Sequence, residues 1–264
     1  MPVAGIDVGS LSTEVVILHE GKIAAAVMLP TGANSRTAAN RAMEQALSQS
    51  GFTLDALENV VATGYGRVSV PFAHAKVTEI TCHGRGAHFL DPEVRTVIDI
   101  GGQDSKVICL NKQGKVVDFL MNDKCAAGTG RFLEVMCQAL EVGLADFSRL
   151  ALITVEAVPI SSMCTVFAES EVISLIADGY PREKIIRGII ASIVERTEAM
   201  AGRIGVVEKV MMTGGVAKNR GVVEALQDAL GVRIALPEDP QLVGALGAAL
   251  LAQDGQQGRT TMSL

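Results

Sequence analysis

Short apolar runs separated by glycine turns open the chain, a pattern typical of buried strands. Val3 to Val8 is the first run, and Thr13 to His19 follows after one turn. Glu20-Gly21 is a two-residue turn of the hairpin type, and Lys22 to Leu29 forms the next run. The pattern predicts three strands joined as a β-hairpin meander, and not a strand–helix–strand unit.

The same order of elements recurs further along the chain. The first half continues with a predicted helix, strand and helix, at Asn34 to Ser50, Asn59 to Thr63 and Glu79 to Phe89. The second half repeats the three strands at Thr96 to Ile100, Ser105 to Leu110 and Lys115 to Met121, with a helix after Cys125. Later elements are predicted at Phe167 to Ala177, Arg182 to Ile204, Lys209 to Thr213, Asn219 to Leu230 and Asp239 to Ala252. We interpret this order as an internal duplication of topology without obvious sequence identity.

Composition narrows the class of protein. The 264 residues are 48% hydrophobic, which is enough for a full core, while aromatic residues make up only 3%. A net charge of −6 argues against a nucleic-acid or anionic-membrane partner. No apolar run approaches the roughly 20 residues of a membrane span, and no basic-then-apolar leader precedes the first strand. With an odd count of five cysteines, a reducing, cytoplasmic location is expected.

Two of the cysteines come just before predicted helices. Cys125 is followed by small residues and then by apolar residues at helical spacing, and Cys164 stands in a similar context. A helix start favours negative charge on a thiol, because its N–H groups are unpaired. Cys109 and Cys137 are expected in the core, and a structural role is also favoured for Cys82.

Three glycine turns are candidates for a nucleotide site. Asp7 to Ser10 and Asp99 to Gly102 each place an acidic residue before glycine, and Thr213 to Val216 joins a strand to a helix. Glycine lets backbone amides approach phosphate oxygens, and aspartate can hold a hydrated Mg²⁺. One such turn alone is more often an ordinary β-turn. Three in this order, without a Walker A or GxGxxG pattern, indicate a nucleotide site of another kind.

These motifs resemble those of a known superfamily. DVGSLSTE, IDIGGQDSK and MMTGGVAKN resemble the phosphate-1, phosphate-2 and adenosine motifs of the actin, sugar-kinase and Hsp70 ATPases. Together with NDKCAAGTGRF and SSMCTVFAESE, IDIGGQDSK more narrowly resembles activator ATPases of 2-hydroxyacyl-CoA dehydratases. Those activators lie within the BadF/BadG/BcrA/BcrD ATPase family, which includes ATPase subunits of benzoyl-CoA reductase.

The resemblance covers Val3 to Ala252 and implies an α/β fold of duplicated ribonuclease-H-like subdomains, with mixed sheets and flanking helices. The N-terminal subdomain is expected at 1–94, with the last helix, 239–252, packing back onto it. The C-terminal subdomain, 95–253, is expected to carry the cysteines and the adenosine motif. The polar segment 254–264 is expected to be a flexible tail.

The resemblance also implies which residues bind the nucleotide. Phosphate contacts would come from Ser10, Leu11, Ser12, Thr13, Glu14, Gly101, Gly102 and Gln103, and nucleoside contacts from Glu134, Gly214, Gly215 and Gln241. Catalytic roles would fall to Asp7, Gln103 and Asp104, and Asp7 and Asp99 would hold Mg²⁺ directly or through water. Glu134 and Gln241 have a simpler interpretation as exposed helix residues. Glu14 departs from the family pattern, where lysine is common.

A [4Fe–4S] cluster needs four thiolates, and two cysteines supply half. A twofold axis supplies the rest, so one cluster per homodimer is expected, held by Cys125 and Cys164 of each subunit.

The leading functional hypothesis is an ATPase that acts as a one-electron donor to a 2-hydroxyacyl-CoA dehydratase component. Ferredoxin or flavodoxin would be its own electron donor. Alternatives are a reductase of another iron–sulfur protein, such as a double-cubane-cluster protein or benzoyl-CoA reductase, a small-molecule kinase, or a nucleotide-gated binding module of the Hsp70 or actin type.

Overall fold

The computed structural model describes residues 1–161 and 164–260, and of 256–260 it describes the backbone alone. The chain divides into two compact units, one of Met1–Arg95, Leu110–Val117 and Glu238–Leu264, the other of Thr96–Cys109 and Asp118–Pro237. No helix in the described part of the chain is long and apolar enough to cross a membrane.

A five-stranded mixed sheet forms the first unit. Its strands are β1 (Val3–Val8), β2 (Ser12–His19), β3 (Lys22–Pro30), β4 (Asn59–Thr63) and β5 (Ala75–Lys76), in the order β3-β2-β1-β4-β5. β1 pairs antiparallel with β2 and parallel with β4. The predicted meander is therefore confirmed, and the Glu20-Gly21 turn has positive φ at both residues.

Three helices flank this sheet: α1 (Ser35–Ser50), α2 (Glu79–Leu90) and α8 (Val243–Thr260). Asn34 caps α1 by accepting from the Thr37 N–H, and Gly51 ends it in the left-handed conformation. α8 packs against β1 where Gly5 leaves no room for a side chain. Its first helical residue is Val243, later than the predicted Asp239, and it runs beyond Ala252. Residues 261–264 of the predicted tail lie outside the described residues.

The second unit repeats the arrangement. Its strands are β6 (Thr96–Ile100), β7 (Ser105–Leu110), β8 (Val116–Asn122), β9 (Val210–Thr213) and β10 (Ile234–Ala235), in the order β10-β9-β6-β7-β8. β6 pairs antiparallel with β7 and parallel with β9, as β1 does with β2 and β4. The predicted duplication is therefore real at the level of strand order.

The helices of the second unit are α3 (Gly130–Ala139), α4 (Leu144–Leu150), α5 (Thr165–Ala177), α6 (Arg182–Ile204) and α7 (Arg220–Leu230). Their apolar faces meet over the sheet in one core, to which Phe132, Phe147 and Ile189 contribute fully buried side chains. The sequence pattern does not predict α4, β5 or β10, because each is too short to show a period. Short 3₁₀ turns at Leu54–Ala56, Arg67–Ser69 and Gly215–Lys218 complete the described elements.

Candidate functional site

The turn between β1 and β2, Gly9 to Leu11, belongs to the predicted phosphate-1 motif and is held by hydrogen bonds to the residues around it. The Gly9 N–H donates to the Ser12 carbonyl at 2.9 Å, and the Thr31 hydroxyl donates to the Gly9 carbonyl at 2.9 Å. The Thr13 and Thr31 hydroxyl oxygens lie 2.8 Å apart and are buried. These bonds give the turn a fixed shape before any ligand arrives.

Asp7 lies at the end of β1 and is buried, with 7% exposure. A side chain at Gly64 or at Gly244 would collide with its carboxylate, so these glycines leave room for it. The Nε2 atom of His83, which α2 carries, lies 3.8 Å from the Asp7 Oδ2. Directly across the β1–β2 ladder from Asp7 is Glu14, which is also buried. Asp7 therefore shares its surroundings with a second carboxylate and an imidazole.

Gln241, which the resemblance placed near the nucleoside, lies in this unit beside Ser12. Its Nε2 donates to the Ser12 Oγ at 3.4 Å. It stands in the turn before Val243, so the expectation that it belongs to the first turn of the last helix is wrong. Ser10 and Leu11 are half-buried in the phosphate-1 turn.

The second unit carries a buried ion-pair cluster at the equivalent strand end. The Lys106 Nζ lies 3.0 Å from both the Asp99 Oδ2 and the Asp104 Oδ2, and the Thr213 hydroxyl donates to the Asp99 Oδ1 at 2.8 Å. Burial would lower the pKa of Lys106, but the two carboxylates outweigh that effect and raise the pKa. Lys106 is therefore charged and neutralises Asp99, to which the sequence analysis had assigned Mg²⁺.

The other predicted contacts of this unit differ in how close they come to the Lys106–Asp99 ion pair. Gly214 has φ 83°, and a side chain there would strike the Ile100 carbonyl and the Asp99 carboxylate. Gly215 and Gln103 are exposed, and Glu134 accepts from the Arg131 guanidinium at 3.1 Å on the surface of α3. The structure thus brings Gly214 to Asp99 and leaves Gln103 exposed in its loop.

The phosphate-2 loop, Gly101 to Asp104, is bonded to the start of α3. The Gly101 N–H donates to the Asp104 carbonyl at 3.0 Å, which closes the loop. The Gly101 carbonyl accepts from the Gly130 N–H at 2.9 Å, and the Gly102 carbonyl from the Arg131 N–H at 2.8 Å. These bonds fix the loop to the helix that follows Cys125.

The five cysteines, all within the described residues, fall into two groups. Cys109 and Cys137 are buried, as expected, and so is Cys82, whereas Cys125 is half-buried and Cys164 exposed. Burial raises the pKa of Cys82 to about 12 and that of Cys137 to about 11, which disfavours their thiolates.

The two cysteines predicted to bind the iron–sulfur cluster occupy different positions relative to the helices that follow them. Cys164 is the N-cap residue of α5, as predicted. Cys125 is not at a helix start, because a turn with Gly128 at φ 79° precedes Gly130, where α3 begins. Within the described residues no group of three or more His, Cys, Asp or Glu side chains is arranged to hold a metal ion.

Sequence reasoning missed three residues that contact these sites: Lys106, His83 and Thr129. Lys106 stands inside the quoted motif IDIGGQDSK, and a lysine in an apolar strand was the signal that could have identified it. His83 has no assigned role among the sequence predictions. Thr129 was counted among the small residues after Cys125.

The two units define a duplicated ribonuclease-H-like α/β fold of the actin and Hsp70 ATPase type, with an aspartate at the end of each first strand. Its family follows from comparison with known proteins. The chain belongs to the BadF/BadG/BcrA/BcrD ATPase family, whose profile matches residues 4–252.

Several relatives are similar along their whole length. The activator of lactoyl-CoA dehydratase from Anaerotignum propionicum is 48% identical over 254 residues, which cover 96% of this chain and 98% of that protein. The (R)-2-hydroxyglutaryl-CoA dehydratase activating ATPase from Acidaminococcus fermentans is 46% identical over 249 residues, which cover 94% and 95%. The solved activator of 2-hydroxyisocaproyl-CoA dehydratase from Clostridium difficile, with bound ADPNP, has a TM-score of 0.93 and 43% identity, and covers 100% of this chain and 98% of that one.

Proposed function

We propose that this protein is an ATP-dependent activator that donates single electrons to a 2-hydroxyacyl-CoA dehydratase component, with ATP hydrolysis driving a low-potential transfer. The family membership and the similarity to three named activators support the activation of such a partner. One observation carries the redox part of the proposal: the only two of the five cysteines that are not buried are Cys125 and Cys164, the two in the family motifs.

These two thiols fit an iron–sulfur cluster shared with a second copy of the chain. A [4Fe–4S] cluster takes four thiolates, so two accessible cysteines from each of two subunits suffice. The other three cysteines are buried, and burial raises their pKa values. In this proposal Cys125 and Cys164 of each subunit hold one cluster per homodimer, which when bound supplies one-electron transfer.

The face of α5 next to Cys164 supports a homodimer. Val166, Phe167 and Ile173 on this helix are 67%, 68% and 53% exposed, while α5 buries only Ala168 and Val172. An isolated protein rarely leaves so apolar a helix face in water, and clustered exposed apolar side chains mark interaction sites. A second copy that contributes the same face would cover them and bring its own Cys164 near.

ATP and Mg²⁺ are proposed to bind at the glycine turns. Phosphate contacts are assigned to Ser10–Glu14, which form the end of the first turn and the start of β2, and to Gly101–Gln103 in the loop that the Gly101–Asp104 bond closes. Nucleoside contacts remain with Glu134, Gly214, Gly215 and Gln241. Asp7 is the favoured Mg²⁺ residue, because it lies beside another carboxylate, whereas Asp99 is already paired with Lys106.

The catalytic assignments stay with Asp7, Gln103 and Asp104. Asp7 would bind Mg²⁺, directly or through water, and thereby reduce the repulsion between the phosphates and the incoming oxygen. Gln103 is exposed at the tip of its loop and can orient water. A ferredoxin or flavodoxin is the proposed electron donor, and the cytoplasm the proposed location.

The test is purification without oxygen, followed by counts of iron and sulfide for the wild type, Cys125→Ala, Cys164→Ala and Cys137→Ala. We expect about four irons per dimer in the wild type and in Cys137→Ala, and none in the other two variants. Both of these should dimerise less and still bind ATP. An iron-free wild type, or iron lost from Cys137→Ala alone, would refute the assignment.

The same preparation distinguishes the alternative functions. A colourless monomer that phosphorylates a metabolite would favour the kinase hypothesis. A brown dimer that reduces a double-cubane-cluster protein or benzoyl-CoA reductase, and not a dehydratase component, would keep the chemistry and change the partner.

A further inference from the structure

Thr129 occupies the N-cap position of α3 but does not cap that helix. A threonine at this position usually accepts a hydrogen bond from an N–H of the first turn, and the Thr129 side chain accepts none. Instead its fully buried hydroxyl points to two carbonyl oxygens, that of Gly102 at 3.0 Å and that of Ala126 at 2.5 Å.

The two acceptors belong to two different functional segments of the second unit. Gly102 is part of the phosphate-2 loop, which carries the proposed phosphate contacts. Ala126 follows Cys125, whose own carbonyl accepts from the Asn122 side-chain amide at 2.9 Å. Thr129 is therefore the side chain that bonds both the phosphate loop and the cysteine segment.

A threonine hydroxyl has a single hydrogen and cannot fully donate to two carbonyl oxygens at once. Hydrogen-bond strength falls steeply with distance and angle, so a movement of a few tenths of an ångström at Gly102 redistributes the hydrogen between the two oxygens. When the hydroxyl bonds Gly102 more strongly it bonds Ala126 less, and the segment that carries Cys125 is held less firmly.

We propose that Thr129 is a positioning residue that couples occupancy of the phosphate-2 loop to the conformation of the Cys125 segment, by sharing one hydroxyl hydrogen between Gly102 and Ala126. The proposal rests on the proposed function, because it assigns nucleotide phosphates to this loop. It adds a named residue through which a nucleotide affects the thiol.

The Thr129 hydroxyl can be removed without leaving either carbonyl oxygen unbonded. Both carbonyls keep a backbone donor without the hydroxyl: the Arg131 N–H lies 2.8 Å from the Gly102 oxygen and the Thr129 N–H 3.1 Å from the Ala126 oxygen. Thr129→Val keeps the shape of the side chain and leaves neither oxygen unbonded, so the variant should fold. Thr129→Ser keeps the hydroxyl and is the matched control.

The experiment measures the rate at which a small thiol reagent modifies Cys125 in iron-free protein, with and without Mg²⁺ and a non-hydrolysable ATP analogue. A Cys164→Ser background removes the other accessible thiol, and calorimetry gives the nucleotide affinity of each variant. In the parent and in Thr129→Ser, which both keep the hydroxyl donor, nucleotide should change the rate by about fivefold or more. In Thr129→Val the ratio should fall close to one, with an affinity within about threefold of the parent.

Two results would overturn the proposal: a nucleotide effect of the same size in Thr129→Val, or no nucleotide effect in the parent. Since this assay needs no iron, it separates the coupling from the electron-donor function. Failure to bind iron, together with intact coupling, would refute the proposed function alone, whereas normal iron content with an unchanged ratio in Thr129→Val would refute the coupling alone.

Discussion

Replacement of Lys106 by methionine should destabilise the second unit more than replacement of Thr213 by valine or of Asp104 by asparagine, two other members of its ion-pair cluster. The Lys106 and Asp99 side chains are each 3% exposed, and Lys106→Met leaves the Asp99 carboxylate buried without its cation. Loss of one partner from a buried pair typically costs about 3–5 kcal/mol. Methionine fills nearly the same volume, so the loss reflects charge and not a cavity.

Two further variants set the scale for this prediction. Thr213→Val removes a buried hydrogen bond of 2.8 Å to the Asp99 carboxylate, for which about 1.5–3 kcal/mol is expected. Asp104→Asn breaks a pair whose carboxylate is 27% exposed and solvated, and should cost roughly 1 kcal/mol or less. The expected order of destabilisation is therefore Lys106→Met, then Thr213→Val, then Asp104→Asn.

The assay is urea unfolding of the iron-free protein, followed by far-ultraviolet circular dichroism at several pH values. The pKa of Lys106 is raised, so in the wild type its contribution to stability is complete below the ordinary lysine pKa and is lost only as the pH rises through the higher folded value. Between pH 5 and 9 the wild type should therefore show no loss from this group. The deficit of Lys106→Met should shrink as the pH falls, because a proton can neutralise a carboxylate that lacks its cation. A deficit below that of Asp104→Asn would refute the reasoning.

Two other predictions concern the surroundings of Asp7 and the burial of the cysteines. Gly244→Ala should lower ATP hydrolysis at least about tenfold, because the added methyl group would collide with the Asp7 carboxylate and crowd His83. Gly202→Ala is the control and should leave activity unchanged, because a methyl group there meets nothing within 4 Å. Equal activities of the two variants, measured by phosphate release, would contradict this prediction. In native iron-free protein at pH 8, iodoacetamide should modify two cysteines rapidly, and in denaturant it should modify all five. The reason is that burial raises the pKa of Cys82 to about 12 and that of Cys137 to about 11. A third rapid modification of the native protein, detected by mass spectrometry, would show that one of the cysteines described as buried is accessible.

Periodicity and glycine turns predicted most of the fold because they act locally. β1, β4 and β6 match the predicted ranges, and so does α6, because an unbroken apolar run or a long amphipathic pattern ends at a glycine or a polar turn. The duplication could also be predicted, since the order of elements is visible without any contact between them. The two-residue strands β5 and β10 and the seven-residue helix α4, which has only two turns, are too short to show a period of their own, which is why they were not predicted.

The candidate sites were less predictable because their chemistry depends on strand register. That Asp99 meets Lys106 follows from the pairing of β6 with β7, which no local pattern specifies. The displacement of Cys125 from its helix depends on a turn at Gly128 with positive φ, and small residues such as those after Cys125 fit a turn and a helix start equally well. The direction of the Thr129 hydroxyl depends on packing beyond its own helix.

At the end of the first strand the two units have the same strand pairing, and one paired position carries opposite charge in the two units. In each unit the aspartate at the end of the first strand is paired in register with a threonine on one side, Thr63 or Thr213. On the other side Asp7 pairs with Glu14, whereas Asp99 pairs with Lys106. Glu14 stands where lysine is common in the phosphate-1 motif that this turn resembles. The equivalent position of the second unit does carry a lysine, Lys106.

This exchange of charge has a consequence for the proposed metal. A cation near Asp99 would have to compete with an ammonium group 3.0 Å from the carboxylate, and the two positive charges would repel each other in a buried setting. Near Asp7 a cation would instead meet a second buried carboxylate, which favours its binding. In the proposed function the two halves would therefore have different roles: Mg²⁺ would bind at the first, whereas the second carries a buried lysine beside the loop that is bonded to α3.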